Sequence, residues 1–108
     1  TPDILAELGR LPSRQATGLP ILVGFAAETG DVVAKAREKR TRKAIDLIVA
    51  NDVSRSDAGF DVATNAVTII GPTGETELPV QAKEAAAAAI LDRIEQLIQT
   101  RAAAPLRA

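Results

Sequence analysis

A cluster of positively charged side chains follows the first strongly apolar segment of the chain. Lys39 and Lys43 are four positions apart, so a helix presents both ammonium groups on one face. A triphosphate could neutralise this pair through charge-assisted hydrogen bonds. The pattern is also typical of a solvated basic face near the end of a helix, where the helix dipole favours cations. The cations of this cluster are Lys35, Arg37, Lys39, Arg40, Arg42 and Lys43.

The segments on either side of this cluster could bind a ligand at the edge of a sheet. In open α/β sheets, ligands bind beyond the carboxyl ends of the strands, which here are the segments AAETG and ANDVS. Thr29 and Gly30 offer a hydroxyl group and a backbone N–H, although FAAET is also an ordinary tight turn between a strand and a helix. Asn51 and Asp52 could contact a metal ion or a substrate, but amides and acids end strands routinely. Neither the P-loop pattern nor the dinucleotide-binding glycine pattern occurs.

The composition excludes several kinds of catalytic site. Histidine and cysteine are absent from the 108 residues, which excludes zinc ribbons, histidine metal sites and Ser-His or Cys-His nucleophile pairs. The net charge of −1 gives no reason to expect a nucleic-acid or membrane partner. Phe25 and Phe60 are the only aromatic residues, too few for a base-stacking platform. The length suits one domain or part of one, and because no methionine begins the chain we expect a piece of a longer protein.

The first half of the chain predicts a short helix followed by a βαβ unit. The opening TPD is typical of a helix N-terminus, and residues 12–20 predict a loop. The apolar residues 21–27 predict a central strand buried on both faces. A helix over residues 30–43 and a second strand over residues 45–50 complete the unit, with the two strands parallel.

The second half predicts a β-hairpin and a long helix. Residues 65–70 and 75–80 read as strands around a Pro-Thr-Gly turn, and residues 82–101 repeat apolar side chains at helical spacing. We therefore predict an α/β fold, a Rossmann-like three-layer αβα architecture. Its incomplete sheet consists of a βαβ unit plus a C-terminal β-hairpin and helix, with part of the sheet upstream of Thr1. The domain portion should span residues 1–101, and residues 102–108 should form a flexible tail.

Several short segments occur in an order that resembles one enzyme family. The chain is similar over residues 2–97 to the C-terminal part of phosphopantothenoylcysteine synthetase, the ligase of coenzyme A biosynthesis. In many bacteria this ligase follows a flavin-dependent decarboxylase, so FMN is implied only if such a domain precedes the chain. The segments are PDILAELG at 2–9, VGFAAET at 23–29, K-x-x-x-K at 39–43, DLIVANDVS at 46–54, GF at 59–60, NAV at 65–67 and LP-x-x-x-K at 78–83.

The resemblance implies a CTP-dependent ligase that joins 4′-phosphopantothenate to cysteine through an acyl-cytidylate. It also implies a cytoplasmic homodimer that uses Mg²⁺, without an identified metal ligand or catalytic residue in this chain. The family's glycine-rich strand–helix start and lysine-rich flap are absent from the sequence, so this chain alone should bind at most part of CTP and should not complete the reaction. The CTP-binding residues that the resemblance implies are Pro2, Asp3, Ile4, Leu5, Phe25, Lys39 and Lys43.

Two other functions remain open at this point. A non-catalytic dimerisation or anion-binding module on the same scaffold is the main alternative, because nothing in these residues separates it from the ligase. An RNA-binding basic helix is a third hypothesis, which the near-neutral charge and the scarcity of aromatic residues disfavour.

Overall fold

A computed structural model describes residues 3–52 and 64–103 of the chain. The predicted βαβ unit, hairpin and terminal helix are all confirmed, with ends within two residues of the predicted ones. None of the described helices combines the length and the hydrophobicity that a membrane-spanning segment needs. In chain order the elements are α1 (Ile4–Gly9), α2 (Pro12–Thr17), β1 (Val23–Glu28), α3 (Val32–Lys43), β2 (Leu47–Asp52), β3 (Thr64–Gly71), β4 (Gly74–Ala82) and α4 (Lys83–Ala103).

The four strands form one mixed sheet in the order β1-β2-β3-β4. β1 and β2 are parallel, as predicted, with Val23 beside Leu47 and Glu28 beside Asp52. β3 runs antiparallel to both β2 and β4. Because β1 and β2 are parallel, their carboxyl ends meet at one edge of the sheet.

The side chains of β2 alternate between two apolar clusters, one on each face of the sheet. Ile48 and Ala50 pack with α3, whereas Leu47 and Val49 pack with α4. The two faces are named here the α3 face and the α4 face. The helices therefore cover opposite sides of the sheet, which is the predicted three-layer arrangement. The buried residues are Leu22, Ala36, Ile45, Ile48, Ala50 and Ile70 on the α3 face, and Leu47, Val49, Val67 and Ile69 on the α4 face.

β1 is an edge strand within the described sheet, and the prediction that it is buried on both faces is wrong for this chain. Gly24 and Glu28 are buried toward the α3 face, whereas Ala27 is exposed and the exposed fraction of Phe25 is 74%. The physical reason is that α4 packs mainly on β3 and β4, which leaves a cavity between α4 and the carboxyl half of β1. β2, the second apolar run, is the strand buried on both faces.

Residues 12–17 form helix α2, although the sequence predicts a loop over residues 12–20. Pro12 is the first residue of the helix, where a proline is tolerated because its missing N–H would have no partner. Gly18 ends the helix in the left-handed conformation, with φ of 72°. Arg14 is the one buried residue of this helix. Apolar periodicity could not reveal α2, because polar contacts rather than an apolar stripe hold it in place.

A buried ionic cluster around Asp46 joins α2, α4 and the start of β2. Asp46 is 4% exposed, it pairs with Arg14, and its Oδ1 lies 2.6 Å from Nη2 of Arg101. The Leu22 N–H donates to Oδ2 at 2.8 Å. Burial acts to raise the pKa of Asp46, but the hydrogen bonds from Leu22, Arg101 and Arg14 outweigh it and hold that pKa below its usual value.

The lowered pKa of Asp46 predicts a loss of stability in acid. A carboxyl group whose pKa is lower in the folded than in the unfolded chain stabilises the fold above its unfolded pKa, about 3.9. That contribution disappears as the pH falls through the folded pKa. We therefore expect the free energy of unfolding to decrease below about pH 4, and to decrease less in an Asp46→Asn variant. Urea unfolding of both proteins between about pH 2.5 and pH 7 measures the difference, and parallel pH curves would contradict the prediction.

Candidate functional site

The candidate site lies where the carboxyl ends of β1 and β2 meet. In the parallel register Ala27 lies beside Asn51, and Glu28 lies beside Asp52. The chain leaves β1 through Gly30, which has a φ of 73°, a conformation that glycine adopts without strain. Since side chains alternate along a strand, Glu28 points to the α3 face while Ala27 and Asn51 point to the α4 face.

On the α3 face, Lys39 forms an ion pair with Glu28. The Lys39 Nζ donates to Glu28 Oε1, and the Glu28 side chain is 9% exposed against 34% for Lys39. Glu28 is the last residue of β1 and Lys39 lies within α3, so the pair connects the strand to the helix that follows it. Lys39 is therefore the more solvent-exposed partner of the pair.

Lys43, one turn further along α3, faces the start of α1. Its Nζ lies 3.4 Å from Asp3 Oδ2, and Asp3 Oδ1 accepts a hydrogen bond from the Ala6 N–H at 3.1 Å. Asp3 thus caps α1, while Pro2, another predicted site residue, lies outside the described residues. The hydrogen bond from Ala6 and the nearby charge of Lys43 lower the pKa of Asp3.

Helix α1 is able to reach Lys43 because it packs tightly against the end of α3. A Cβ atom on Gly9 would overlap the backbone carbonyl oxygen of Lys43, so only glycine permits this approach. Leu5 packs against the α3-face cluster, and its Cδ2 would lie 3.2 Å from a Cβ on Gly24. Ile4 remains largely exposed. The structure therefore brings Asp3, another predicted site residue, next to Lys43.

On the α4 face, Phe25 and Asn51 line a cavity of about 360 Å³. Lys83 and Ile90 of α4 contribute to the opposite wall. Asn51 Oδ1 is buried and accepts no hydrogen bond from any of the described residues. A buried acceptor without a donor is unfavourable, so this atom is a point at which a ligand with an N–H or O–H group would gain affinity.

Of the other cations of α3, Arg37 and Arg42 are exposed, as the sequence predicts, whereas Arg40 is half-buried. Arg37 pairs with Glu75 of β4, and Arg42 pairs with Glu38 at 3.3 Å. Arg40 donates to the backbone carbonyl of Asp46 at 2.8 Å, and burial lowers the pKa of its guanidinium group despite the Asp46 charge. The contacts of Arg37 and Arg40 tie α3 to β4 and to the residue before β2, and the Lys35 Nζ donates to the Thr29 carbonyl oxygen just beyond β1 at 2.8 Å.

The structure adds Glu28 to the candidate site and distinguishes Asn51 from an ordinary strand end. Glu28 is the acid of FAAET, and its pairing with Lys39 depends on how α3 packs. Asn51 ends a strand, as amides often do, and only its buried position and lack of a donor distinguish it. Within residues 3–52 and 64–103 no group of three or more acidic side chains could hold a metal ion by itself.

Comparison with protein families gives a match over nearly the whole chain. Residues 1–98 match the family described as the DNA/pantothenate metabolism flavoprotein C-terminal domain. The protein named coenzyme A biosynthesis bifunctional protein CoaBC is 48% identical over 98 residues in Bacillus subtilis strain 168 and 42% identical over 97 residues in Vibrio vulnificus strain YJ016. Each alignment covers 90% of this chain and 23% of the relative, so the chain spans about a quarter of their length.

Two solved structures share the fold. A crystal structure of the C-terminal domain of CoaBC superimposes with a TM-score of 0.73 at 37% identity, covering 93% of this chain and 46% of that one. The DNA/pantothenate metabolism flavoprotein from Streptococcus pneumoniae has a TM-score of 0.67 at 21% identity, covering 89% and 40% of the two chains. The first likeness confirms the predicted α/β architecture, and the second is evidence of the fold alone.

Proposed function

Because the chain belongs to the family of DNA/pantothenate metabolism flavoprotein C-terminal domains, we propose that it forms part of a CTP-dependent ligase. This ligase joins 4′-phosphopantothenate to cysteine, and the chain contributes part of the CTP site. The observation that supports the site most directly is the buried, unpaired Oδ1 of Asn51 beside the exposed ring of Phe25. The names of the relatives place them in coenzyme A biosynthesis.

The cytosine base is proposed to bind in the cavity on the α4 face. The exposed ring of Phe25 offers an apolar surface for the flat base. Asn51 Oδ1 would accept a hydrogen bond from the 4-amino group of cytosine. Uracil has a carbonyl oxygen at this position and cannot donate, which gives a physical basis for the preference of CTP over UTP.

The triphosphate is proposed to bind Lys39 and Lys43 on the α3 face. Because Phe25 and the two lysines lie on opposite faces of β1, the nucleotide must cross the carboxyl end or the open edge of this strand. Lys43 lies beside Asp3, whose carboxylate accepts hydrogen bonds only and therefore suits a ribose hydroxyl better than a phosphate. Ile4 and Leu5 would complete this side of the site, and Pro2 is proposed as a CTP-binding residue on the family resemblance alone.

In the proposed reaction, a carboxylate oxygen of 4′-phosphopantothenate attacks the α-phosphorus of CTP. The bond to the β-phosphate breaks, and pyrophosphate leaves with its negative charge. The amine of cysteine then attacks the acyl carbon and CMP departs. Lys39 and Lys43 would stabilise the charge that grows on pyrophosphate, and Mg²⁺ bound to the phosphates would share this role.

The whole reaction and a homodimeric assembly are proposed for the larger protein, since this chain spans 23% of its CoaBC relatives. The alternative is a dimerisation or anion-binding module without catalysis. The two are separated by whether nucleotide binding depends on the base, because an anion-binding module would bind all triphosphates with similar affinity.

Nucleotide selectivity tests the proposed site. Calorimetric titration of the 108-residue chain in Mg²⁺ is expected to show CTP binding about ten-fold or more tightly than UTP, the effect of one well-placed hydrogen bond. An Asn51→Leu variant is expected to bind CTP more weakly and to lose this preference. Gln96→Leu, which changes an exposed amide on α4, is the matched control. Equal affinities for CTP and UTP in the unmodified chain would contradict the assignment of the base site, and an absence of heat with any nucleotide would contradict the nucleotide site itself.

A further inference from the structure

The two lysines proposed to bind the triphosphate have carboxylate partners of very different kinds. Glu28, the partner of Lys39, is buried at the end of a strand, and its side chain is 9% exposed. Asp3, the partner of Lys43, lies at the end of a short helix with 48% of its side chain exposed. A buried carboxylate on a strand has a fixed position, whereas an exposed one at a helix start is screened by water and holds its partner weakly.

The geometry of the Glu28–Lys39 pair leaves the ammonium group available to a ligand. Lysine has three N–H donors and no acceptor, and one donor is used by Glu28. The Lys39 side chain is 34% exposed against 9% for Glu28, so the two remaining donors of the ammonium group are the part of the pair that an anion can reach from solvent. Binding an anion therefore does not require the pair to break.

We propose that Glu28 is a positioning residue for the nucleotide site, which holds the Lys39 ammonium group at the carboxyl end of β1, in place for the triphosphate. This inference rests on the proposed function, because it assumes that Lys39 binds the triphosphate. A free lysine side chain has four rotatable bonds and loses much of its freedom when it binds an anion. An ammonium group already held by Glu28 has lost most of that freedom in the unliganded protein, and the affinity is correspondingly higher.

Variants of Glu28 test the inference through CTP affinity. Glu28→Ala removes the acceptor and is expected to weaken CTP binding about ten-fold, which corresponds to about 1.4 kcal/mol. Glu28→Gln has nearly the same shape and keeps a neutral acceptor for Lys39, so CTP binding should stay within about three-fold of the unmodified chain. If Glu28→Gln keeps the CTP affinity that Glu28→Ala loses, the effect comes from the position of the Lys39 ammonium group and not from the loss of the negative charge. Unfolding curves at the titration temperature confirm that each variant is folded.

A double-mutant cycle with the two lysines gives the decisive result. If Glu28 acts through Lys39, Glu28→Ala has no further effect on CTP affinity in a Lys39→Gln background and its full effect in a Lys43→Gln background. A loss that persists in the Lys39→Gln background would show a general structural role and overturn the inference. CTP binding that is unchanged or tighter in Glu28→Ala would also overturn it while leaving the proposed function intact. If the unmodified chain does not bind CTP, the proposed function itself fails and the inference fails with it.

Discussion

Replacing Asp46 with asparagine is expected to lower the free energy of unfolding by about 3–5 kcal/mol, the usual effect of removing one partner from a buried ion pair. The substitution keeps the shape of the side chain but removes the charge that faces two guanidinium groups. Arg14 is itself buried, with 8% of its surface exposed, and it would remain charged without a counter-ion. Chemical denaturation at neutral pH measures the loss.

The control for this experiment is Asp92→Asn, which makes the same chemical change on the exposed surface of α4. Exposed substitutions of this kind change stability by about 0.5 kcal/mol or less. The Asp46 cluster joins α2, the start of β2 and α4. Its loss should therefore lower both the midpoint of the unfolding transition and the cooperativity with which these elements unfold together. Equal effects of the two substitutions would contradict the role assigned to the cluster.

Replacing both Lys39 and Lys43 with glutamine is expected to weaken CTP binding about 100-fold or more. Each charge-assisted hydrogen bond to a phosphate contributes about 1.5–3 kcal/mol, and about 1.4 kcal/mol corresponds to ten-fold in affinity. Each single variant should therefore lose about ten-fold or more. Calorimetric titration with CTP in Mg²⁺ measures all three variants.

Arg42→Gln is the matched control for the lysine variants. It removes one positive charge from the same helix, but Arg42 is exposed and pairs with Glu38 within that helix. CTP affinity should change little in this control. Lys39→Gln also leaves buried Glu28 without its ion-pair partner, so a lower unfolding midpoint is expected for this variant and not for Lys43→Gln. If Arg42→Gln weakens binding as much as either lysine variant, the site recognises only the general charge of α3.

The strands and the two long helices could be predicted because their signals are local. Residues 47–50 are a continuous apolar run, and residues 83–103 have an apolar helical period, so each segment specifies its own secondary structure. Helix α2 could not be predicted in this way. Its buried side chain is Arg14, and the contact that stabilises that residue comes from Asp46, 32 positions later.

The residues of the candidate site likewise differ in whether the sequence or only the tertiary contacts could identify them. The spacing of Lys39 and Lys43 puts them on one helix face, but their assignment to the CTP site, like that of Phe25, follows from the family resemblance. Asn51 could not be distinguished from an ordinary strand end until its neighbours across the sheet were known. Glu28 could not be matched with Lys39 until the packing of α3 on β1 was known.

What the sequence alone determined is the identity and order of the strands and of every helix except α2, together with the residues whose types could bind a nucleotide. Only the tertiary structure decided that β1 lies at the edge of the described sheet, that Phe25 and the lysines occupy opposite faces of this strand, and which carboxylate pairs with which lysine. The physical reason is the range of the forces involved. Backbone hydrogen bonding and apolar periodicity act over a few neighbouring residues, whereas burial and ion pairing depend on which distant segments the fold brings into contact.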